Sequence, residues 1–239
     1  LNELKKRNVK CSICIVGEPT SMKAVQAHKG CYEYSTYFTG LAGHGSAPDK
    51  GINAVEYASL YINKLMELRE ELKKREPKNS VFTPPYSTLQ IGGIRGGLAR
   101  NVIADQCTVD WEMRPVIPED GKFVTQNIEA YVKNVLLPKM KKVYPKANIK
   151  KEIIGEIIGF TKEEKSDAVN LVCNLTGDNS RDVVSFGTEA GLFQELGIST
   201  VVCGPGSIEQ AHKIDEYVSF DQLKLCLKML INLKEQITN

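Results

Sequence analysis

The chain has 239 residues, of which 42% are hydrophobic and 25% charged, as in an ordinary globular protein and unlike a disordered chain. Its 31 basic and 29 acidic side chains leave a net charge of only +2, so no basic field is available to hold a nucleic acid. No apolar run reaches the ~18 residues that a membrane helix requires. Seven cysteines, an odd number, favour a reducing compartment over a disulfide framework. We therefore expect a cytoplasmic protein with neither a membrane nor a nucleic-acid partner.

The first elements of the chain predict two different kinds of sheet. The apolar run Cys11–Val16, closed by Gly17 and Pro19, is typical of a buried strand in an α/β sheet. From Tyr32 onward the side chains alternate at the period of a half-buried strand. The elements predicted there are a strand at 32–38, a helix at 52–72, strands at 87–94 and 107–113, a helix at 123–143 with Pro138 as a kink or an end, and a strand at 149–154. This order is that of a ferredoxin-like unit, one four-stranded sheet with two helices on one face.

After residue 155 the pattern returns to that of an α/β domain. Thr161 and Glu164 form a capping box, which predicts a helix as far as Thr176. The later elements are strands at 183–186 and 199–203 and helices at 188–196 and 219–237. Together with the first strand this makes three buried strands, a thin sheet compared with the usual number of about five or six.

The predicted fold class is therefore α/β, with a ferredoxin-like domain inserted into an incomplete α/β domain. The α/β domain takes residues 1–29 and 156–239, and the inserted domain takes residues 30–155. The thin sheet and the absence of a start Met lead us to expect a fragment of a longer protein.

Glu18 and His212 are candidate metal ligands because of where they lie relative to two predicted strands. Glu18 directly follows the strand Cys11–Val16, and His212 ends the loop that follows the strand 199–203. Ligands of open α/β sheets gather outside the carboxyl ends of strands, and zinc accepts both a carboxylate and an imidazole. The alternative is that both residues serve only their turns. Zinc also takes at least three protein ligands as a rule, so further ligands would have to come from elsewhere.

The remaining candidates have competing interpretations. His44 lies in a glycine-framed loop, 40–48, whereas His28 is interpreted as a structural residue at the junction of the two domains. Arg114 shares the polar face of its strand with Asp110 and Glu112, so it either binds an anionic group or pairs with those acids. The sequence contains no nucleophile elbow, which disfavours covalent hydrolase chemistry.

Six short motifs follow one another along the chain, at residues 16–20, 43–48, 96–103, 112–115, 187–191 and 204–212. In this order they resemble the acetylornithine deacetylase and succinyl-diaminopimelate desuccinylase family of dizinc amidohydrolases. The last two motifs are more similar to the deacetylase branch.

The resemblance implies the zinc-dependent hydrolysis of an N-acyl amino acid, N-acetylornithine to ornithine and acetate, in arginine biosynthesis. It implies two metal ions per complete site, zinc or else cobalt or manganese, and a homodimer formed through the ferredoxin-like lid domain. The implied roles are zinc binding by Glu18 and His212, polarisation of the scissile carbonyl by His44 reaching over from the partner subunit, and substrate binding by Asn101, Arg114, Thr188, Glu189 and Gly191.

The chain also departs from the family. The family's His-x-Asp motif, its metal-bridging Asp and its Glu-Glu pair with the general base are missing. All three histidines are accounted for elsewhere in the chain, and the pairs Glu70-Glu71 and Glu163-Glu164 fall on predicted helices instead of strand-end loops. We therefore expect the chain alone to be inactive. Two alternatives remain: a non-catalytic dimeric binding or assembly fragment, and a related amidohydrolase such as a desuccinylase, aminoacylase or dipeptidase.

Overall fold

The computed structural model describes residues 2–7 and 10–238. Leu1, Asn8, Val9 and Asn239, which belong to the predicted α/β domain, lie outside the described residues. The chain divides into two compact units, an α/β unit formed by the residues up to Lys29 and from Ile157 onward, and an inserted unit, Gly30–Glu156. The functional roles of these units as catalytic domain and lid stay a prediction. No helix in the described ranges is long and apolar enough to cross a membrane.

The helices and strands alternate along most of the chain. In chain order they are α1 (Asn2–Lys6), β1 (Ile13–Val16), β2 (Ala24–His28), β3 (Cys31–Thr39), α2 (Ala54–Lys74), β4 (Thr88–Gly96), β5 (Gln106–Arg114), α3 (Pro118–Tyr131), α4 (Leu137–Val143), β6 (Asn148–Ile157), α5 (Asp167–Thr176), β7 (Arg181–Val184), α6 (Ala190–Gln194), β8 (Ser199–Val202) and α7 (Phe220–Thr238).

The inserted unit has the predicted ferredoxin-like arrangement. Its four strands lie in the order β4-β5-β3-β6, and β5 pairs antiparallel with both β3 and β4. Alternate residues of β3 and β5, such as Tyr34, Phe38 and Trp111, are buried in one core with the apolar stripe of α2 and with Val124 and Ile128 of α3. The period-two pattern of the strands and the three-four spacing of the helix thus meet on one face of the sheet.

Pro138 neither ends nor breaks its helix. The five residues Val132–Leu136 form a π-helical segment between α3 and α4, and the Leu137 N–H donates to the carbonyl oxygen of Val132, five residues earlier. Proline has no N–H and its ring crowds the preceding turn, so a wider turn lets the helix continue past it. The predicted helix end is thereby corrected to a local widening of the helix, and the predicted kink stays a prediction.

The α/β unit contains four strands, one more than predicted. Its sheet has the order β1-β8-β2-β7, in which β1 and β8 are parallel, β2 and β7 are parallel, and β2 meets β8 antiparallel. The missed strand is β2, which Gln26 and His28 make less uniformly apolar than its neighbours. Ala24, Val25, Ala27 and His28 are nevertheless buried, because the strand lies inside the sheet.

The predicted capping box at Thr161 and Glu164 is wrong. Helix α5 begins at Asp167, and the Ser166 hydroxyl oxygen accepts from the Val169 N–H at 3.3 Å. The backbone N–H and the hydroxyl of Thr161 each donate to the Gln194 side-chain oxygen, both at 3.0 Å. Glu163 and Glu164 accordingly lie in the segment before the helix, because tertiary contacts occupy the residue that the local pattern assigned as a cap.

A buried carboxylate joins the ends of α2 and α3. Asp120 is fully buried; the Arg75 Nε donates to its Oδ1 at 2.8 Å and the Ser87 hydroxyl donates to its Oδ2 at 2.5 Å. Ser87 in turn accepts from the Val116 N–H at 2.8 Å. The carboxylate therefore accepts from two other segments of the chain, and a buried charge is tolerated only with such partners.

Replacing Asp120 with Ala should destabilise the inserted unit by about 3 kcal/mol, because the change leaves the Arg75 guanidinium and the Ser87 hydroxyl without their acceptor. Trp111, the one tryptophan of the chain, lies in this unit, so urea unfolding followed by its fluorescence measures the effect. Glu119→Ala, at an exposed position one residue earlier, is the matched control. Equal unfolding midpoints for the two variants would contradict the prediction.

Candidate functional site at the β1 and β8 edge

The loops after β1 and β8 leave the same edge of the α/β sheet. The two strands are parallel and in register, with Val16 opposite Val202. Backbone hydrogen bonds then join the loops, since the N–H groups of Thr20 and Met22 donate to the Gly204 carbonyl oxygen at 3.2 and 2.9 Å. The structure therefore brings together the segments that begin with Glu18 and lead to His212, as their sequence positions predict.

Gly204 permits this contact because it has no side chain. A Cβ atom added there would lie 2.6 Å from the Glu18 carbonyl oxygen and 2.9 Å from the Gly17 carbonyl carbon. Such distances are far below van der Waals contact, so any larger residue would push the two loops apart. The glycine in the motif 204–212 has a packing role at the site.

Strained backbone is concentrated in the same two loops. Within residues 2–7 and 10–238, the non-glycine residues with left-handed φ are Ser21, Met22 and His212, at 54°, 62° and 62°. Such conformations cost about 1–3 kcal/mol each and are typical of functional sites. Ser21 and Met22 lie in the turn that the Lys23 N–H closes by donating to the Thr20 carbonyl oxygen at 3.1 Å, so that turn accounts for their backbone, and metal binding by Glu18 and His212 stays a prediction.

The donor types fit zinc, but they form an incomplete set. Glu18 is half-buried and His212 is exposed, while the His212 backbone N–H donates to a Glu216 carboxylate oxygen at 2.9 Å. A cavity of about 220 Å³ is lined by residues of the same two loops, among them Pro19, Gln210, Glu216 and Tyr217, but neither Glu18 nor His212 is part of its lining. A carboxylate and an imidazole supply two of the three or more protein ligands that zinc takes.

Across the described part of the chain, one group of at least three His, Cys, Asp or Glu side chains has ligand atoms close enough to share an ion. It consists of Cys31, Glu33 and Glu112 in the inserted unit. The Arg114 Nη2 donates to a Glu112 carboxylate oxygen at 2.7 Å, and burial is the main cause that raises the pKa of the Cys31 thiol. A guanidinium beside a protonated thiol disfavours a metal ion, so this group is an ion-paired cluster.

In the inserted unit, His44 and Asn101 lie on two loops that are bonded to each other. The Gly45 N–H donates to the Asn101 carbonyl oxygen at 2.8 Å, and His44 forms an antiparallel bridge with Val102. The Ser46 N–H donates to the His44 Nδ1 at 3.2 Å, and the Ser46 hydroxyl oxygen lies 2.7 Å from the same nitrogen. Ser46 therefore orients the imidazole of an exposed side chain.

Arg114 has the polar-face position that the sequence predicts. Trp111 and Met113 point into the core, whereas Glu112 and Arg114 are half-buried on the opposite face. Arg114 pairs with Glu112, while Asp110 pairs with Arg95 instead. The structure thus shows the ion pair that the sequence left open, and substrate binding by Arg114 stays a prediction.

Thr188 is held by a histidine that sequence analysis left as structural. His28 is buried; its Nδ1 lies 2.8 Å from the Lys29 carbonyl oxygen, and its Nε2 accepts from the Thr188 N–H at 3.3 Å with the Thr188 hydroxyl at 2.9 Å. Burial, the largest cause, lowers the pKa of His28, so its ring is neutral. The sequence signal was a histidine inside an apolar run, directly before Lys29 and Gly30.

The turn that contains Thr188 lies away from the β1 and β8 edge. Strands β2 and β7 run opposite to β8, and Thr188 bonds with His28 at the end of β2. Gly191 packs against backbone, since a Cβ there would lie 2.5 Å from the Gly159 carbonyl oxygen, and Glu189 is exposed. The structure does not place Thr188 beside Glu18, and the substrate-binding roles of Thr188, Glu189 and Gly191 stay predictions.

Replacing Gly204 with Ala should destabilise the α/β unit by about 1–3 kcal/mol, because the added methyl group collides with the Glu18 backbone. Hydrogen exchange of the Thr20 and Met22 amides, which bond to Gly204, should become faster. Gly17→Ala is the matched control, since a Cβ there meets nothing within 4 Å. If both variants exchange at the wild-type rate, the close contact does not hold the loops together.

Comparisons with known proteins agree with the fold and its organisation. Residues 26–140 match the sequence profile of the M20 peptidase dimerisation domain. The chain is 36% identical over 217 residues to an acetylornithine deacetylase of Buchnera aphidicola, which is 91% of this chain and 55% of that protein. It is 32% identical over 230 residues to the acetylornithine deacetylase of Pasteurella multocida, 96% of this chain and 58% of that protein.

Solved structures show the same fold at low sequence identity. A tripeptidase from Staphylococcus aureus superposes with a TM-score of 0.71 at 19% identity, over 97% of this chain and 58% of the tripeptidase. The chain thus spans little more than half the length of the relatives and structures that it matches. The expected resemblance and the α/β fold class are confirmed, and the chain contains a segment, residues 26–140, that matches the M20 peptidase dimerisation domain.

Proposed function

We propose that this chain is part of a homodimeric, zinc-dependent amidohydrolase that converts N-acetylornithine to ornithine and acetate. The observation that carries the proposal is the similarity, over more than nine-tenths of the chain, to proteins named acetylornithine deacetylase. The joined loops support it, because the segment with Glu18 and the segment that leads to His212 leave the same sheet edge, where ligands of α/β sheets bind.

Glu18 and His212 would hold the metal together with ligands from outside this chain. A zinc ion held there would supply a water molecule of lowered pKa and would polarise the amide carbonyl. Glu18 is half-buried and would offer a carboxylate oxygen, and the left-handed backbone of His212 sets the direction in which its side chain leaves the loop. The hydrogen bonds to Gly204 keep the two loops in place without a side chain between them.

His44 would stabilise the oxygen that becomes negative during amide hydrolysis. Ser46 contacts its Nδ1 and so orients the ring, whose Nε2 would serve as the donor. Asn101 lies on the loop that is bonded to the His44 loop, and its side-chain amide would orient the same substrate. The joined loops support this assignment, because they hold the two residues on neighbouring backbone segments.

Arg114 would bind the carboxylate of the amino-acid substrate. The guanidinium has five N–H donors, so it can keep Glu112 and still offer a two-pronged contact to a carboxylate. Thr188 has less capacity to bind a substrate, because its hydroxyl already contacts the His28 ring and accepts from the Ala190 N–H at 3.1 Å.

The test is turnover and metal content of the protein at its native length. We expect zinc-dependent release of acetate from N-acetylornithine, loss of activity after chelation, and much slower hydrolysis of N-succinyl-diaminopimelate and of dipeptides. The 239-residue chain alone should show no turnover, because its metal ligand set is incomplete. Faster hydrolysis of a dipeptide would assign a related amidohydrolase. A native protein that dimerises without metal or activity would assign the assembly function instead.

His44→Ala in the native-length protein should lower kcat by about 10²–10³, the usual cost of one lost oxyanion donor, with zinc content unchanged. Asp49→Ala, at an exposed position on the neighbouring turn, is the control and should keep wild-type kcat.

Subunit mixing tests whether His44 acts across the dimer. Subunits with His44→Ala and subunits with Glu18→Ala should each be inactive, yet a mixed dimer should regain activity because one of its sites combines an intact Glu18 with an intact His44. Mixed dimers that form but stay inactive would mean that His44 acts within its own subunit or only shapes its loop.

A further inference from the structure

A cavity of about 150 Å³ lies inside the inserted unit, away from the residues assigned above to catalysis. Three apolar side chains, Ile128, Val132 and Ile149, form part of its wall. Thr36 and Tyr61 bring two hydroxyl groups to it, and Glu129 and Lys151 complete the lining. Cavities of this volume admit molecules of about six heavy atoms.

The buried polar groups at this cavity form a chain of hydrogen bonds that ends at a hydroxyl group. Thr36 and Tyr61 are fully buried, at 0% and 1% exposure. The Trp111 Nε1 donates to the Thr36 hydroxyl oxygen, and the Thr36 hydroxyl donates to the Tyr61 oxygen, both at 3.2 Å. Among the described residues no hydrogen bond has the Tyr61 hydroxyl as its donor, so the last hydroxyl hydrogen of the chain is unmatched.

The remaining hydrogen stays on the oxygen at neutral pH. Burial is the main cause that raises the pKa of Tyr61 to about 12, so the phenol is a donor and not an anion. An unmatched buried donor is costly, and two buried hydroxyls in a space large enough for a molecule favour an occupant with an acceptor atom.

A cation lies at the same cavity. The Lys151 ammonium donates to a Glu129 carboxylate oxygen at 2.5 Å and lies 5.1 Å from the centre of the Tyr34 ring. The Lys151 side chain is only 19% exposed, whereas that of Glu129 is 60% exposed. Glu129 can therefore turn toward water. The less exposed Lys151 ammonium has three N–H donors and can donate to a second anion.

We infer that this cavity is a binding site for a short-chain monocarboxylate of about two to four carbon atoms. One carboxylate oxygen would accept from the unmatched hydroxyl hydrogen and the other from Lys151, while the alkyl chain would pack against Ile128, Val132 and Ile149. A neutral molecule of the same shape would leave Lys151 without its new partner, so the site should prefer the anion.

The test is an NMR titration of the 239-residue chain with sodium acetate, propionate and butyrate at constant ionic strength. The indole N–H of Trp111, the single tryptophan, reports the site because it donates to Thr36. We expect a saturable shift of this signal in the millimolar range, as is usual for ligands of this size, and tighter binding of butyrate than of acetate. Butyramide, the neutral match of butyrate, should bind about tenfold more weakly.

Variants separate the contributions of the lining. Lys151→Met should remove the preference for butyrate over butyramide, and Tyr61→Phe should weaken both ligands because it removes a hydroxyl. Tyr57→Phe, a half-buried tyrosine outside the lining, is the control and should titrate like the wild type.

No saturable shift with any carboxylate would overturn the proposal and leave a cavity that holds water only. Equal binding of butyrate and butyramide by the wild type would overturn the role of Lys151. If Tyr61→Phe does not fold, as judged by Trp111 fluorescence, the Lys151→Met comparison decides the proposal by itself.

Discussion

The parallel pairing of β1 with β8 is the constraint on which the proposed metal site depends. Two strands whose first residues, Ile13 and Ser199, are 186 positions apart must lie side by side and in register before Glu18 and the loop to His212 can share an edge. Hydrogen bonds of the ladder set this register, and the contact of Gly204 with the Glu18 backbone locks the loops that follow. The strained backbone of Ser21, Met22 and His212 is held by the same framework.

The inserted unit depends on buried polar groups as well as on its apolar core. Asp120 joins the end of α2, the start of β4 and the start of α3 through Arg75 and Ser87, while Trp111 and Thr36 form a chain of hydrogen bonds in the core. Such groups cost free energy when unpaired, so they restrict the positions that the helices can take on the sheet. The two networks differ in one respect. Both carboxylate oxygens of Asp120 accept a hydrogen bond, whereas the hydrogen-bond chain of Trp111, Thr36 and Tyr61 ends at a cavity.

Sequence and structure agree best where local periodicity decides the element. The sequence predicts the alternation of β3, the three-four stripe of α2 and the ferredoxin-like arrangement of the inserted unit. Each of these depends on a helix or strand burying one of its faces, whatever the details of packing. Sequence and structure disagree where tertiary contacts determine the local structure. β2 is buried by its neighbours despite Gln26 and His28, and Thr161 bonds with Gln194 instead of capping a helix.

The sequence by itself determined the α/β class, the inserted ferredoxin-like unit, the family resemblance and the identity of the candidate residues, since these depend on pattern and on motifs within short segments. Only the tertiary structure decided which candidates are neighbours: Glu18 with the loop to His212, His44 with the Asn101 loop, Arg114 with Glu112, and Thr188 with His28. The physical reason is that hydrogen bonds and ion pairs between distant segments depend on strand direction and register. Neither strand direction nor register can be inferred from the spacing of residues along one segment.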